Sequence, residues 1–524
     1  PKRIGQRRAP SQRISVGSQR PGARLAMTDG VSESETQKLA LMREAAPRPA
    51  QTLVEVLRIA LPSTAGYLLT LSCDVTSTAF LGRSGDQATL AAIGLCSLVV
   101  NCAGQSIGIG IAGAMDTLVS QACGAKQQQL AIHIFQRCRV IVALQLVWML
   151  PLLWFAGDLL HMVGQDAEVA SHTSSYTRVV VLGLFASMQF ESIRKFLENR
   201  GEPVVPFIIC GVASALHVGW CNLFIGQLRW GNAGAGCAQV LTWWTRFLLG
   251  TAYLVRLARR EGIRLRAVLA VEGPGFCEWG SYMQYAVPST IQVCSEWWFW
   301  EICGFVVGYL GQVSLAAHVA TMSWVGISMM PAIGLNASTA RLVGSALGAN
   351  MPKTAKVMTW SCAGLNFASW SAIATIFVVF RQPLSAAYSR DIEIQQIVER
   401  LLPMYAAVGF VDSLQAVLCG ALRGMGRQGL AATVYTVTYY GVMLPGGIFA
   451  AFVLKMGIYG IWGSFGVGTA VACVVFLCVL AKTNWVRLAD EASSRMECAG
   501  SQAEELARRA RVAQCELSAV PPAA

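Results

Sequence analysis

The chain has 524 residues, 54% hydrophobic and 13% charged, against a charged share of about 25% in soluble domains, which excludes an ordinary soluble enzyme. Its formal net charge of +12 could suit nucleic acid, but the basic residues are distributed as a membrane topology distributes them, so no nucleic-acid partner is expected.

The first 28 residues contain seven Lys/Arg and no Asp or Glu. They read as part of a disordered cytoplasmic tail (1–52) with Met27 as a candidate start, the alternative being an organelle transit peptide. Beyond it, apolar runs of roughly 20 residues, enough to cross a hydrocarbon core of about 30 Å, recur to the far end. They predict an all-α polytopic membrane protein with twelve spans, at 53–81, 89–114, 132–156, 173–197, 203–226, 234–257, 281–310, 314–340, 357–380, 396–421, 429–454 and 457–481. Spans 1–6 would form an N-lobe (53–258), joined through a connection at 259–280 to a C-lobe (281–481), with a charged, Ala-rich tail (482–524) following. Alternate connections carry 14 Lys/Arg on one side, from Lys126 to Arg427, and five on the other: Arg83, Arg229, Arg381, Arg390 and Lys455. The positive-inside rule makes the richer side cytoplasmic, and both termini with it.

Taken in chain order, span 1 carries Asp74 in "LSCDVTST", in its outer half. Gly104, Gly108, Gly110 and Gly113 in span 2 permit close helix packing. Glu191 and Arg194 near the end of span 4 are spaced for a local ion pair. His133, His217 and His318 stand singly, as do the cysteines in the spans, so packing or hydrogen bonding is expected and no metal or cofactor.

Span 7 contains "CSEWWFWEIC" at 294–303, with Glu296 near mid-span and Glu301 closer to the outside. A central acid costs about 2.5–3.5 kcal/mol, so each should face a cavity or a partner. No Lys or Arg occurs between Glu278 and Arg341, so a counter-ion must come from another segment. Five residues put the two acids about 140° apart on an ideal helix, and only a distortion near Pro288 would present both on one face. Trp297, Trp298 and Trp300 lie mid-span, outside any interfacial belt. They either pack in the core or line the cavity, where a ring face attracts organic cations. Span 10 places Asp412 near its centre, with Gln415 one turn on along the same face.

The chain repeats internally. "IALPSTA" at 59–65 returns as "YAVPSTI" at 285–291, "LVSQACGAKQQQLA" at 118–131 aligns with "LVGSALGANMPKTA" at 342–355, and Gly231 and Gly234 fall on Gly457 and Gly460. Six spans per repeat make the repeats parallel, an arrangement of transporters whose site lies near the bilayer midplane. No Walker A, DDxxD, HExxH or GxSxG pattern occurs, so no enzyme and no ATP-driven pump is expected. A secondary transporter remains, with a receptor or scaffold as the alternative class.

These segments, together with "VDSLQAVLCGALRGMGRQ" and "GIYGIWGSFGVG", resemble the multidrug and toxic compound extrusion (MATE) family, particularly its eukaryotic branch, over about residues 53–487. The resemblance implies two six-helix lobes around a central cleft and export coupled to inward movement of protons or sodium. Glu296 and Glu301 match the family's EWWxxE glutamates and Asp412 its span 10 acid. Ser323 and Ser77 stand where relatives carry further acids, and Asp74, one turn before Ser77, is the candidate to take over that role. The expected function is a monomeric antiporter in a plasma or vacuolar-type membrane, where Glu296, Glu301 and Asp412, with Asp74, Gln415, Trp297 and Trp298 around them, bind either a cationic small-molecule substrate or protons. Export of a citrate- or flavonoid-like compound is the alternative within transport.

Overall fold

The computed structural model describes residues 49–82, Gly94, Cys96, 98–162, 166–269, Phe276 and 278–518. Most of the predicted basic tail, the start of span 2 and part of the 259–280 connection lie outside the described residues. Among those described, the chain is helical, with no strand.

Span 1 is α1 (Pro49–Gly82), and span 2 ends in α2 (Ser106–Ala112) and α3 (Met115–Gly124). Span 3 is α4 (Gln128–Trp154), followed by the short α5 (Ala156–Met162); span 4 is α6 (Ala167–Val180) and α7 (Leu184–Arg200). Spans 5 and 6 are α8 (Val204–Cys221) and α9 (Gly231–Glu261), and α10 (Leu265–Leu269) lies in the connection. Spans 7, 8 and 9 are α11 (Trp279–Gly308), α12 (Gln312–Gly348) and α13 (Pro352–Val379). After the short α14 (Arg381–Tyr388), span 10 is α15 (Ile392–Gly424), and span 11 holds α16 (Gln428–Thr436) and α17 (Leu444–Ile448). Span 12 is α18 (Ile458–Ala481), and the C-terminal tail forms α19 (Trp485–Ser518). Eight of these spans are long and apolar enough to cross a membrane by length and composition alone.

Local chemistry sets the ends. Asp391 caps α15 by accepting from the Glu393 amide at 2.9 Å, and Asp166 caps α6 through the Glu168 amide at 2.8 Å. Gly201 (φ +94°) ends α7 and Gly262 (φ +67°) ends α9 in the left-handed region that a side chain disfavours. Three details depart from the predicted spans. Span 4 is interrupted by a 3-10 turn at Val181–Gly183. Span 11 contains π-helical turns at Val437–Met443 and Phe449–Val453, flanking Pro445, which has no amide to donate. Span 8 runs on to Gly348, so Arg341, counted above with a connection, sits on helix α12.

Spans 1 and 7 are shared between the two repeats. At the Lys/Arg-rich face, hereafter the basic face, α11 contributes Tyr282 and Ala286 to the core of the first repeat, beside Met115, Phe135 and Phe196. Further along, the same helix contributes Phe299, Cys303 and Val307 to the core of the second repeat, beside Tyr405, Tyr439 and Trp462. α1 does the converse: Val56, Ile59 and Ala60 pack with Leu335, Leu342 and Val417, and Leu81 packs with Cys221 and Ala235. Exposed Val147, Phe367, Val379 and Val474 cover the outside with apolar surface, as a lipid-facing wall requires.

Candidate functional site

Asp412 and Gln415 lie on one face of α15, 7% and 1% exposed, and half-buried Glu296 comes to them from α11. Glu296 and Asp412 are close enough to act on each other electrostatically, and Arg423 is the cation that acts on Glu296. Three tyrosines close the nest: Tyr405 beside Asp412, and Tyr435 and Tyr439 beside Glu296 and Gln415. All three are buried. The Tyr405 hydroxyl faces Asp412, and the Tyr435 and Tyr439 hydroxyls face Gln415, so the buried polar groups of the nest are turned toward one another. Aromatic contacts brace the nest, with ring centroids 4.8 Å apart for Phe299–Tyr439 and 5.8 Å for Tyr405–Trp462.

The other predicted residues are elsewhere. Helix α11 is continuous through Pro288, so Glu301 does not join Glu296. Glu301 is half-buried and acts on Cys102 of span 2, and one turn back on that face the Trp298 indole donates to the Cys102 carbonyl at 3.2 Å. Glu301 and Trp298 therefore belong to the seam between the repeats. Trp297 is half-buried, while Trp300 packs into the second core, 5.5 Å from Trp462. His318 stacks there too, 5.7 Å from Trp462.

Asp74 is exposed on α1, within electrostatic reach of Arg246. The adjacent Cys73 and Ser77 turn inward: the Ser77 hydroxyl meets His217 Nε2 at 3.0 Å, and His217 Nδ1 meets the Thr242 hydroxyl at 2.7 Å. Arg246, 4% exposed, donates to Cys73 Sγ at 3.3 Å, and its Nε has no partner. Arg246 was not among the residues expected here, although a guanidinium inside an apolar span is itself a signal of a buried polar site. The tyrosines carried no comparable signal.

At the basic face the repeats are pinned together. Asp116 on α3 is 2% exposed and meets Lys195 at 3.1 Å, Asn199 at 3.0 Å and Arg423 at 3.4 Å. Arg423 also holds Gln292 Oε1 at 3.0 Å. Its carbonyl accepts from Thr117, and the Gly424 carbonyl accepts from Gln121 at 2.9 Å. Glu191 and Arg194 form the expected pair, 3.0 Å apart. Among the described residues no group of three or more His, Cys, Asp or Glu could hold a metal ion.

The family profile described as MatE matches twice, at residues 62–222 and 288–449, and the matches begin on the repeat prolines Pro62 and Pro288. The chain belongs to the MatE family. This MatE chain is 30% identical over 451 residues to multidrug and toxin extrusion protein 1 of Oryctolagus cuniculus, covering 84% of the chain and 77% of that protein. To the Homo sapiens protein of the same name it is 28% identical over 447 residues, with the same coverage. The crystal structure of the eukaryotic MATE transporter AtDTX14 superposes with a TM-score of 0.80 at 23% identity, covering 86% of the chain and 99% of that structure. A Vibrio cholerae MATE transporter, VcmN in its bent form, gives 0.72 at 16% identity, covering 85% and 99%. The MatE fold is twelve membrane helices in two parallel six-helix repeats around a central cleft, and the chain is an integral, multi-pass membrane transporter.

Proposed function

We propose that the chain is a secondary active antiporter that exports organic cations or xenobiotics in exchange for protons, with Glu296 and Asp412 as the pair for which substrate and proton compete. The observation that carries this reading is that two carboxylates from different spans, Glu296 and Asp412, lie within electrostatic reach of each other in a cluster that also holds Gln415 and Tyr405. Two negative charges in a poorly hydrated interior repel strongly, and either a bound cation or protonation relieves that repulsion. Occupancy by one therefore excludes the other. That exclusion is the coupling.

Glu301 and Trp298, on the seam, would guide a flat cation toward the nest through a ring face and a second charge. Asp74 would serve a separate, first-repeat step opposite Arg246. Both termini are read as cytoplasmic, the membrane as a plasma or vacuolar-type one, and the working unit as a monomer. The names of the curated relatives, multidrug and toxin extrusion proteins, support the xenobiotic part of this reading. A second reading, export of an organic anion or neutral metabolite with the acids serving coupling alone, draws on Arg246, a buried guanidinium with no ion pair among the described residues and an Nε without a hydrogen-bond partner.

Proteoliposomes with an imposed pH gradient, and then a sodium gradient, test the proposal. Glu296→Gln and Asp412→Asn should abolish gradient-driven export of a cationic probe while the variants still insert. Glu191→Gln, which loses only a local pair, should stay within about twofold of the parent. Uphill transport by Glu296→Gln at parental rates would refute the competition mechanism, and gradient-driven uptake of an anionic probe alone would favour the second reading.

A further inference from the structure

At the basic face, α1, the connection between α7 and α8, the end of α9 and α12 enclose a cavity of about 590 Å³, a size typical of small-molecule sites. Its walls carry three arginines, Arg58, Arg260 and Arg341, and three glutamates, Glu55, Glu202 and Glu261. Two of the acids are already satisfied: Arg200 reaches Glu261 and, at 4.0 Å, Glu202, and Glu202 also accepts from the Tyr253 hydroxyl. The three wall arginines form no ion pair among the described residues, and the Arg341 Nε is buried with no hydrogen-bond partner. With Arg200 counted, four guanidiniums face three carboxylates here, so one positive charge is left over, and Arg341 is the half-buried one among the wall arginines.

Arg341 reaches the cavity from α12. A Cβ at Gly201 would fall 2.0 Å from Arg341 Nη2, so the guanidinium lies directly against the glycine that ends α7. Val204 lines the cavity and is 46% exposed, and one turn along from Arg58 and Val204 on their helices Leu61 and Ile208 are 62% and 54% exposed. Guanidiniums bind phosphate oxygens in a bidentate fork, and basic pockets between membrane helices at a leaflet boundary suit anionic headgroups. Exposed apolar side chains on the same two helices suit the attached acyl chains.

We propose that this cavity binds a phosphate group, supplied by an anionic phospholipid of the leaflet at the basic face, with Arg58 and Arg341 as its principal ligands. Arg341 is the one lining residue contributed by the second repeat, so an occupant ties α12 to the first repeat and favours the state in which the repeats touch at this face.

The test uses the full chain in phosphatidylcholine nanodiscs with and without phosphatidic acid, reading retained lipid by native mass spectrometry and melting temperature in parallel. Phosphatidic acid should be retained over phosphatidylcholine and raise the melting temperature. Arg58→Gln and Arg341→Gln should each weaken retention by about tenfold, and Arg259→Gln, on the same face but off the cavity, should not. Arg58 is exposed, so its variant should fold even if that of Arg341 does not. Stabilisation by inorganic phosphate in pure phosphatidylcholine, lost in both variants, would uphold the phosphate site and assign its source to solution. No preference for phosphatidic acid and no response to phosphate, or retention unchanged in Arg58→Gln and in a folded Arg341→Gln, would overturn the proposal.

Discussion

Replacing Gly124 or Gly348 with alanine should open the basic face. These glycines occupy the same place in the two repeats, in "QACGA" and "SALGA", and they meet in pseudo-symmetric fashion where α3 crosses the end of α12. A Cβ on Gly124 would lie 2.1 Å from the Ser345 carbonyl oxygen, and one on Gly348 would lie 2.1 Å from the Gln121 carbonyl oxygen. Ordinary contact begins at 3.4 Å, so the helices must part by more than about 1 Å, and because both obstacles are backbone, no side-chain rotation relieves them. Overpacking of this kind costs about 1–3 kcal/mol. The cost falls only on the state in which the repeats touch here, so its population relative to the separated state should drop about 5- to 150-fold. Hydrogen exchange followed by mass spectrometry reads this directly: peptides covering 115–124 and 340–348 should exchange faster, while those of α13 and α18 keep their rates. Gly364→Ala is the control, since nothing lies within 4 Å of its added Cβ. Unchanged protection at both crossing helices in Gly124→Ala, or faster exchange spread evenly over all spans, would refute the reasoning.

Two further outcomes are expected. Epitope tags at the N-terminus, in the 259–280 connection and at the C-terminus should all be reached from the cytoplasm, and external access to the central tag would contradict an even number of spans per repeat. Asp116→Asn, which strands Lys195 and Arg423 beside a neutral amide, should destabilise the protein by about 3 kcal/mol, read as a lower denaturation midpoint; a midpoint equal to the parent's would mean that the cluster is solvated.

The twelve spans and their duplication were legible because a membrane core imposes a length and a polarity that a sequence states openly, and "IALPSTA" against "YAVPSTI" states the repeat. The isolation of the acids was legible from energetics: Glu296 has no basic neighbour in its own span, and the cation that acts on it, Arg423, is more than 100 residues away. Their grouping was not. Glu296 and Asp412 meet because α11 and α15 belong to one core, whereas Glu301 departs because five residues of straight helix turn it to the seam. The hidden groups were those whose chemistry depends on an unseen neighbour: Tyr439 sits on a π turn that hydropathy does not reveal, and Gly124 and Gly348 showed up as a repeated letter before the crossing explained them.

The placement of Glu296 follows from which helices the repeats share. Helix α11 is fixed in the first core at Tyr282 and Ala286 and in the second at Phe299 and Cys303, and Glu296 falls between those anchors. Helix α1 is fixed among second-repeat residues at Ile59 and Ala60 and among first-repeat residues from Leu69 to Leu81, and Asp74 lies on that first-repeat part, beside Cys73 and Ser77, which bond to Arg246 and His217. Cores packed this densely do not deform continuously, so relative motion of the repeats must be taken up in the segment of each shared helix that lies between its two anchors. A charge on that segment is felt by both cores at once: gaining a proton or losing a cation at Glu296 changes the local balance where the two halves are mechanically joined. The same acid on α18, whose buried residues pack among second-repeat helices, would bind its proton without any route to the other half.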